Sequence, residues 1–199
     1  NNSGSMTLAN STLAHNSADF QGGGIMNGGT LTVTNSTLAY NSTGGSGGGI
    51  YNSNSFTLTI ANSVAAGNTA SQGPDISNAG TILAQYNIIQ NGAGSGIANG
   101  VDGNHVGIDP LLDPAGLEDH GGPTHTIALL PGGPAIDAGS NAAASGLTTD
   151  QRGAPYVRID GAAVDVGAYE LQYVVDTAED QNDGDYSPGN LSLREAVQL

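Results

Sequence analysis

Asp150, Arg152, Asp165 and Glu170 stand close together in one short stretch of the chain. Two carboxylates so placed are the raw material of a glycosidase, where one acts as acid and the other as nucleophile or base. An arginine beside carboxylates also fits a polysaccharide lyase with an arginine base. The competing reading is mechanical: Arg152 anchors a loop by pairing with carboxylates at a coil edge, in charge-assisted hydrogen bonds. A lyase would need a calcium cluster and a second basic residue on the same face, and the chain has no lysine. The expectation is therefore a set of structural ion pairs and no catalysis.

Two further groups of residues could bind metal. His15, His105, His120 and His125 are scattered; only His120 and His125, flanking a GGPT turn, come near each other, without the spacing of a zinc motif. The loop DTAEDQNDGDY offers Asp176, Asp180, Asn182, Asp183 and Asp185 as oxygen ligands for calcium. Its glycine is out of register with an EF-hand loop and no closing glutamate follows, so a solvated acidic loop competes with calcium binding. No other cofactor is expected.

Composition bounds what any of these groups could serve. The 199 residues include 18 acidic side chains, three cationic ones (Arg152, Arg158 and Arg194) and a formal net charge of −15. Nucleic-acid binding needs clustered Lys and Arg against phosphate, so that class is excluded. An anionic membrane surface would repel the chain, and no apolar stretch nears the roughly 20 residues of a span, so membrane insertion is not expected. An acidic, lysine-free surface suits solubility outside cells. With no cysteine there is neither a disulfide framework nor a thiolate zinc site. No leader-like stretch is visible, as in a mature product or a fragment. The 32 glycines follow no G-X-Y period, which excludes collagen. Only 7 Tyr, 2 Phe and no Trp leave a globular core of this length hard to fill, whereas a repeat fold need only cover its neighbouring coils.

The elements that position these residues are repeats. LANSTLAHNSADFQGGGIMN (8–27) aligns with VTNSTLAYNSTGGSGGGIYN (33–52) at a constant offset of 25 residues. LTIANSVAAGNTASQGPDISN (58–78) follows at an offset of 26 to 27, and TILAQYNIIQNGAGSGIANG (81–100) is a weaker fourth copy. Each copy holds two or three short β segments between Gly/Ser/Asn turns and has no helical period. Such units predict an all-β, right-handed parallel β-helix whose coils hydrogen-bond about 4.8 Å apart. Equivalent residues then stack: Ile25 on Ile50 on Ile76 inside, with Leu13 on Leu38. Asn10, Asn35 and Asn62 are expected to form one amide ladder, and Asn16, Asn41 and Asn68 another. Asn10, Asn35, Asn41 and Asn190 also lie in N-x-S/T sequons, which inward-facing ladder residues could not use.

From Asp109 the texture changes. The words DPLL at Asp109, GGPT at Gly121, PAIDAG at Pro134, DQRG at Asp150 and VDVGAYE at Val164 follow in order. Together they resemble the choice-of-anchor Q domain of β-helical surface proteins over roughly residues 81–171. The resemblance implies a β-helix end and extracellular display, and no catalysis. GGGI and GGGIYN are similar to the short repeats of β-helical bacterial surface proteins. TIALLP and AAVDVGAYEL alternate apolar and small residues, as further coils would.

The last segment ends SLREAVQL and resembles the CSLREA domain, with Leu191 where its cysteine would stand. In that family a strand (VVDT), an acidic loop and a short helix precede a β-helix and cover its first coil. Here Ser192 can cap the helix with Glu195 three residues on, and Leu193, Ala196 and Val197 give an apolar face. Three regions result: coils over 1–108, a choice-of-anchor Q-like end over 109–171, and a CSLREA-like strand, loop and capping helix over 172–199. The first copy begins without such a cap, and an open coil invites association. Tyr173, Val174, Val175, Leu191, Leu193, Ala196, Val197 and Leu199 are expected to cover the first coil of a neighbouring copy, head to tail. A heterologous contact of that kind makes a filament, or a stalk if units are joined in tandem. The expected function is thus a structural, extracellular or cell-surface unit and not an enzyme. An adhesin or carbohydrate-binding module, and less so a lyase or hydrolase, remain as alternatives.

Overall fold

The computed structural model describes residues 1–172. Their fold is a parallel β-helix: every pairing between named strands is parallel, and each strand lies on its equivalent one coil away. The first coil comprises β1 (Ser5–Ala9), β2 (Thr12–Ala14), β3 (Ser17–Ala18) and β4 (Ile25–Asn27). The second repeats it as β5 (Thr30–Thr34), β6 (Thr37–Ala39), β7 (Ser42–Thr43) and β8 (Ile50–Asn52). The third has β9 (Thr57–Ala61), β10 (Val64–Ala66) and β11 (Ile76–Asn78). The stack ends with β12 (Thr81–Gln85), β13 (Ile88–Ile89) and β14 (His105–Val106). The first two coils thus have four strands each, one more than the turn signals indicate, because β3 and β7 are only two residues long.

Stacking sets the core. Ile25, Ile50 and Ile76 pair in register as expected. Leu31, Val33, Leu58 and Ile60 fill the interior with no exposed surface, and Leu13 lies on Leu38. Between coils, the first glycine of each GGG has a positive φ (Gly22 at 66°, Gly47 at 73°), which bends the chain into β4 and β8. Polar columns run beside the apolar ones. Asn16 donates to Asn41 and Asn41 to Asn68 at 2.9 and 3.0 Å, the expected ladder. A second ladder joins Asn2, Asn27, Asn52 and Asn78, each Nδ2 donating to the next Oδ1 at 2.7 Å.

Asn10, Asn35 and Asn62 depart from expectation. They occupy equivalent corners with φ of 45°, 45° and 47°, a left-handed conformation that asparagine tolerates. Their side chains face out of the coil. Asn62 donates to Asn35 at 3.1 Å, but Asn10 instead donates to the carbonyl of Thr149 at 2.7 Å. The column is a docking edge rather than an interior ladder.

What docks there is the second correction. Residues 109–171 add no coils; their bridges are isolated and antiparallel (Leu112 with Leu129, Glu118 with Thr126, Thr149 with Val157). The segment lies along the flank of the stack. Leu112, Ile127, Leu129, Ala135, Val166 and Tyr169 bury the outer side of β6, β10 and β13 at Ala39, Val64, Ala66 and Ile88. Its alternation of apolar and small residues therefore serves a face-on contact. The segment also runs back toward the first coil: Gly167 bonds to Asn62 of the third coil, and Ala168 to Thr37 of the second. Arg158, which holds Glu170, reaches Asn10 of the first. Gln172 then donates to the carbonyl of Val157 at 2.9 Å, so the described chain finishes beside the coil where it started.

Candidate functional site

The flank segment brings together the charged residues that the sequence singles out. Arg152 donates through Nε and Nη2 to Asp150 at 2.9 and 2.7 Å, and through Nη2 to the Glu170 carbonyl at 2.6 Å. Its guanidinium lies between the rings of Tyr156 and Tyr169, 3.8 and 3.9 Å from their centroids, a cation–π sandwich. The pairing differs from expectation at the other two acids. Glu170 forms its ion pair with Arg158 at 2.7 Å. Asp165 accepts the backbone N–H groups of Asp137 and Leu171 at 2.8 and 2.7 Å, while Arg158 reaches only its carbonyl at 3.1 Å. Asp165 is thus satisfied by backbone N–H groups, one from its own loop and one from Asp137, in place of a guanidinium.

Arg158 was not among the expected pairs, yet it is the hub. It is 1% exposed and also binds the carbonyls of Gly167 and Tyr169. The clue was its rarity, a third arginine in an acidic chain. Asp75 is a second missed residue. It stands where the other coils carry Gly24 and Gly49, and its carboxylate continues the Asn16 ladder, accepting from Asn68 Nδ2 at 2.8 Å and Asn91 N–H at 2.7 Å.

This geometry holds parts together and offers no entry to a substrate. Asp150, Arg152, Asp165 and Glu170 are 2%, 4%, 1% and 0% exposed, so a sugar ring cannot reach them. No family model, curated protein or solved structure matches the chain. The histidines do not converge either. His15 stacks on Tyr40 at 5.3 Å, and His120 meets Thr126 Oγ1 at 3.0 Å and the edge of Tyr169. Among the described residues no group of three or more His, Asp or Glu could hold a metal. Asp176, Asp180, Asn182, Asp183 and Asp185 lie outside the described residues, as do Tyr173, Val174, Val175, Leu191, Leu193, Ala196, Val197, Leu199 and the capping helix. Of the sequons within them, Asn35 and Asn41 are buried, leaving no room for a glycan.

Burial dominates the titration of this region. It lifts the Asp165 carboxyl from 3.8 to about 6, outweighing the two N–H bonds it accepts and the charge of Arg158. Asp75 rises likewise from 3.8 to about 6, against its bonds to Asn91 and Asn68. Glu170 is raised by burial first and by the charge of Asp165 second. A raised carboxyl holds more protons folded than unfolded, so its stabilising contribution is complete below about 3.8 and is lost as pH climbs through about 6. His120 is pushed down by burial and acts oppositely, losing its contribution as pH falls below 6.5. Three carboxyls outweigh one imidazole. The unfolding free energy from urea titration is expected to be higher at pH 5 than at pH 7.5, with a slope of up to about 1.4 kcal/mol per shifted carboxyl per pH unit. Asp75→Asn should flatten that slope.

Proposed function

We propose that the chain is a structural, extracellular unit that assembles with copies of itself, its segment 173–199 covering the first coil of a neighbour in a head-to-tail filament or tandem surface stalk. One observation carries this reading. Strands β1, β2 and β3 of the first coil each end a sheet, leaving three rows of backbone donors and acceptors without a strand partner among the described residues, while β4 is bridged on its outer side by Asn2 alone. Met6, Leu8 and Leu13 stand half-covered there against the core. The CSLREA-like segment is of the kind that closes such an end, and the choice-of-anchor Q-like words support display at a cell surface. The charged set supports a non-enzymatic role, since each carboxylate is already engaged within the molecule. Calcium at the acidic loop 176–185 would neutralise charge at the contact.

Val197→Asp places a charge on the apolar face of the covering segment. It is expected to abolish assembly of the 199-residue chain, seen by sedimentation and negative-stain microscopy with and without calcium, while the circular dichroism of the coils stays as in the wild type. Unchanged polymer length in Val197→Asp would sink the reading. Because Gln172 departs beside the first coil, a wild-type monomer with first-coil amides protected from exchange would place the segment on its own coil and also overturn it.

A further inference from the structure

The sheet β1-β5-β9-β12 leaves one face of the stack uncovered by other described residues. Leu31, Val33, Leu58 and Ile60 point inward, so their strand neighbours Thr30, Thr32, Thr57 and Thr59 point out. Register then aligns Ser5, Thr30, Thr57 and Thr81 in one column, and Thr7, Thr32, Thr59 and Leu83 in the next. Seven of these eight positions carry a hydroxyl and none a charge, in a chain of net charge −15. Rows repeat about 4.8 Å apart along the stack and columns lie about 6.6 Å apart across it.

The array is held from inside. Asn2, Asn27 and Asn52 of the interior ladder each turn a second amide hydrogen onto the carbonyls of Thr30, Thr57 and Thr81, at 3.0, 3.2 and 3.1 Å. At the opposite edge Ser36 and Ser63 hydroxyls donate to the carbonyls of Thr34 and Ala61 at 2.8 Å. Strand pairing sets the row spacing, and these bonds tie down both ends of the strands that carry the outward threonines.

We infer that this face binds ice, the crystalline lattice of water. A rigid two-dimensional repeat gains from its regularity only against a partner that is itself periodic, since each matched contact then adds without a further ordering cost. Charged mineral faces call for charge, and none stands in the array. Crystalline polysaccharides call for flat aromatic rings, and none of the eight positions has one. Threonine instead offers a methyl over which water orders and a hydroxyl that anchors it, which is what a face of ice can match.

The test is growth of a seed ice crystal in a solution of the full chain. Faceted growth, a concentration-dependent gap between melting and freezing points, and enrichment of the protein in slowly grown ice are expected. Thr32→Lys and Thr59→Lys, at the centre of the array, should abolish the gap while keeping the wild-type urea midpoint. Leu83→Thr completes the second column and should widen it. Round, unfaceted crystals with the wild type overturn the inference, as does a Thr59→Lys variant that is folded and fully active, or retention on microcrystalline cellulose in place of ice.

Discussion

Arg158→Met is expected to lower folding stability by about 3–5 kcal/mol, because it leaves the Glu170 carboxylate buried without its cation. The upper part of that range applies above pH 7, because burial already raises the Glu170 carboxyl to about 7 and protonation limits the loss below it. Glu170 has no exposed surface, and Arg158 also serves the carbonyls of Asp165, Gly167 and Tyr169. Glu170 keeps the N–H groups of Asp160 and Asp165 at 3.0 Å, which solvate the charge in part but cannot neutralise it. The double variant Arg158→Met, Glu170→Gln removes both charges and should recover a large share of the loss. Urea unfolding of the four proteins of that cycle measures the coupling. The loss should be felt at the docking edge first, so hydrogen exchange at Ser140, whose N–H is held by Asn62 at 2.8 Å, should accelerate. The amides of Leu58 and Ile60 in the coil interior should hold. If Arg158→Met costs no more than an exposed pair, below about 1 kcal/mol, the hub role fails.

What the sequence discloses here follows from how the stack is built. A parallel coil places the same position above itself, so Ile25, Ile50 and Ile76 reveal both the period and the register. The column of Asn10, Asn35 and Asn62 shows the same periodicity, but two demands select asparagine: an interior amide ladder and a left-handed corner. The fourth coil separates them, since Tyr86 stands in the equivalent place with a φ of 52°, and a tyrosine has no place in an amide ladder. The alternation in TIALLP and AAVDVGAYEL suggests further coils but serves a flank contact, because alternation reports that one face is buried, not against what. For the charged set, proximity in sequence brought Asp150, Arg152, Asp165 and Glu170 together correctly. Which arginine takes which acid depends on the chain folding back on itself, and no spacing encodes that.

Asn27→Ala tests the interior ladder where it matters most. Asn27 has no exposed surface and donates to Asn52 at 2.7 Å, Gly29 at 3.1 Å and Thr57 at 3.2 Å, while accepting from Asn2 at 2.7 Å. Alanine breaks these four bonds and a fifth, from the Gly29 N–H to Asn27 Oδ1 at 3.2 Å, and leaves the Asn52 and Asn2 amides, the Gly29 N–H and two carbonyls short of partners inside the stack. Each stranded buried group costs about 1–3 kcal/mol, and the coil can relax around some of them, so a net loss of about 3 kcal/mol is expected in urea unfolding. Asn16→Ala is the control. Asn16 ends its ladder at the solvent-exposed edge, where water replaces the lost bond, and its loss should stay below about 1 kcal/mol. Equal losses in the two variants would mean that the amides follow the stacking without enforcing it, and that the apolar columns alone set the register. A larger loss at Asn27 assigns the register to the ladder, since an apolar column tolerates a small slide along the strand while a row of amides in sequence does not.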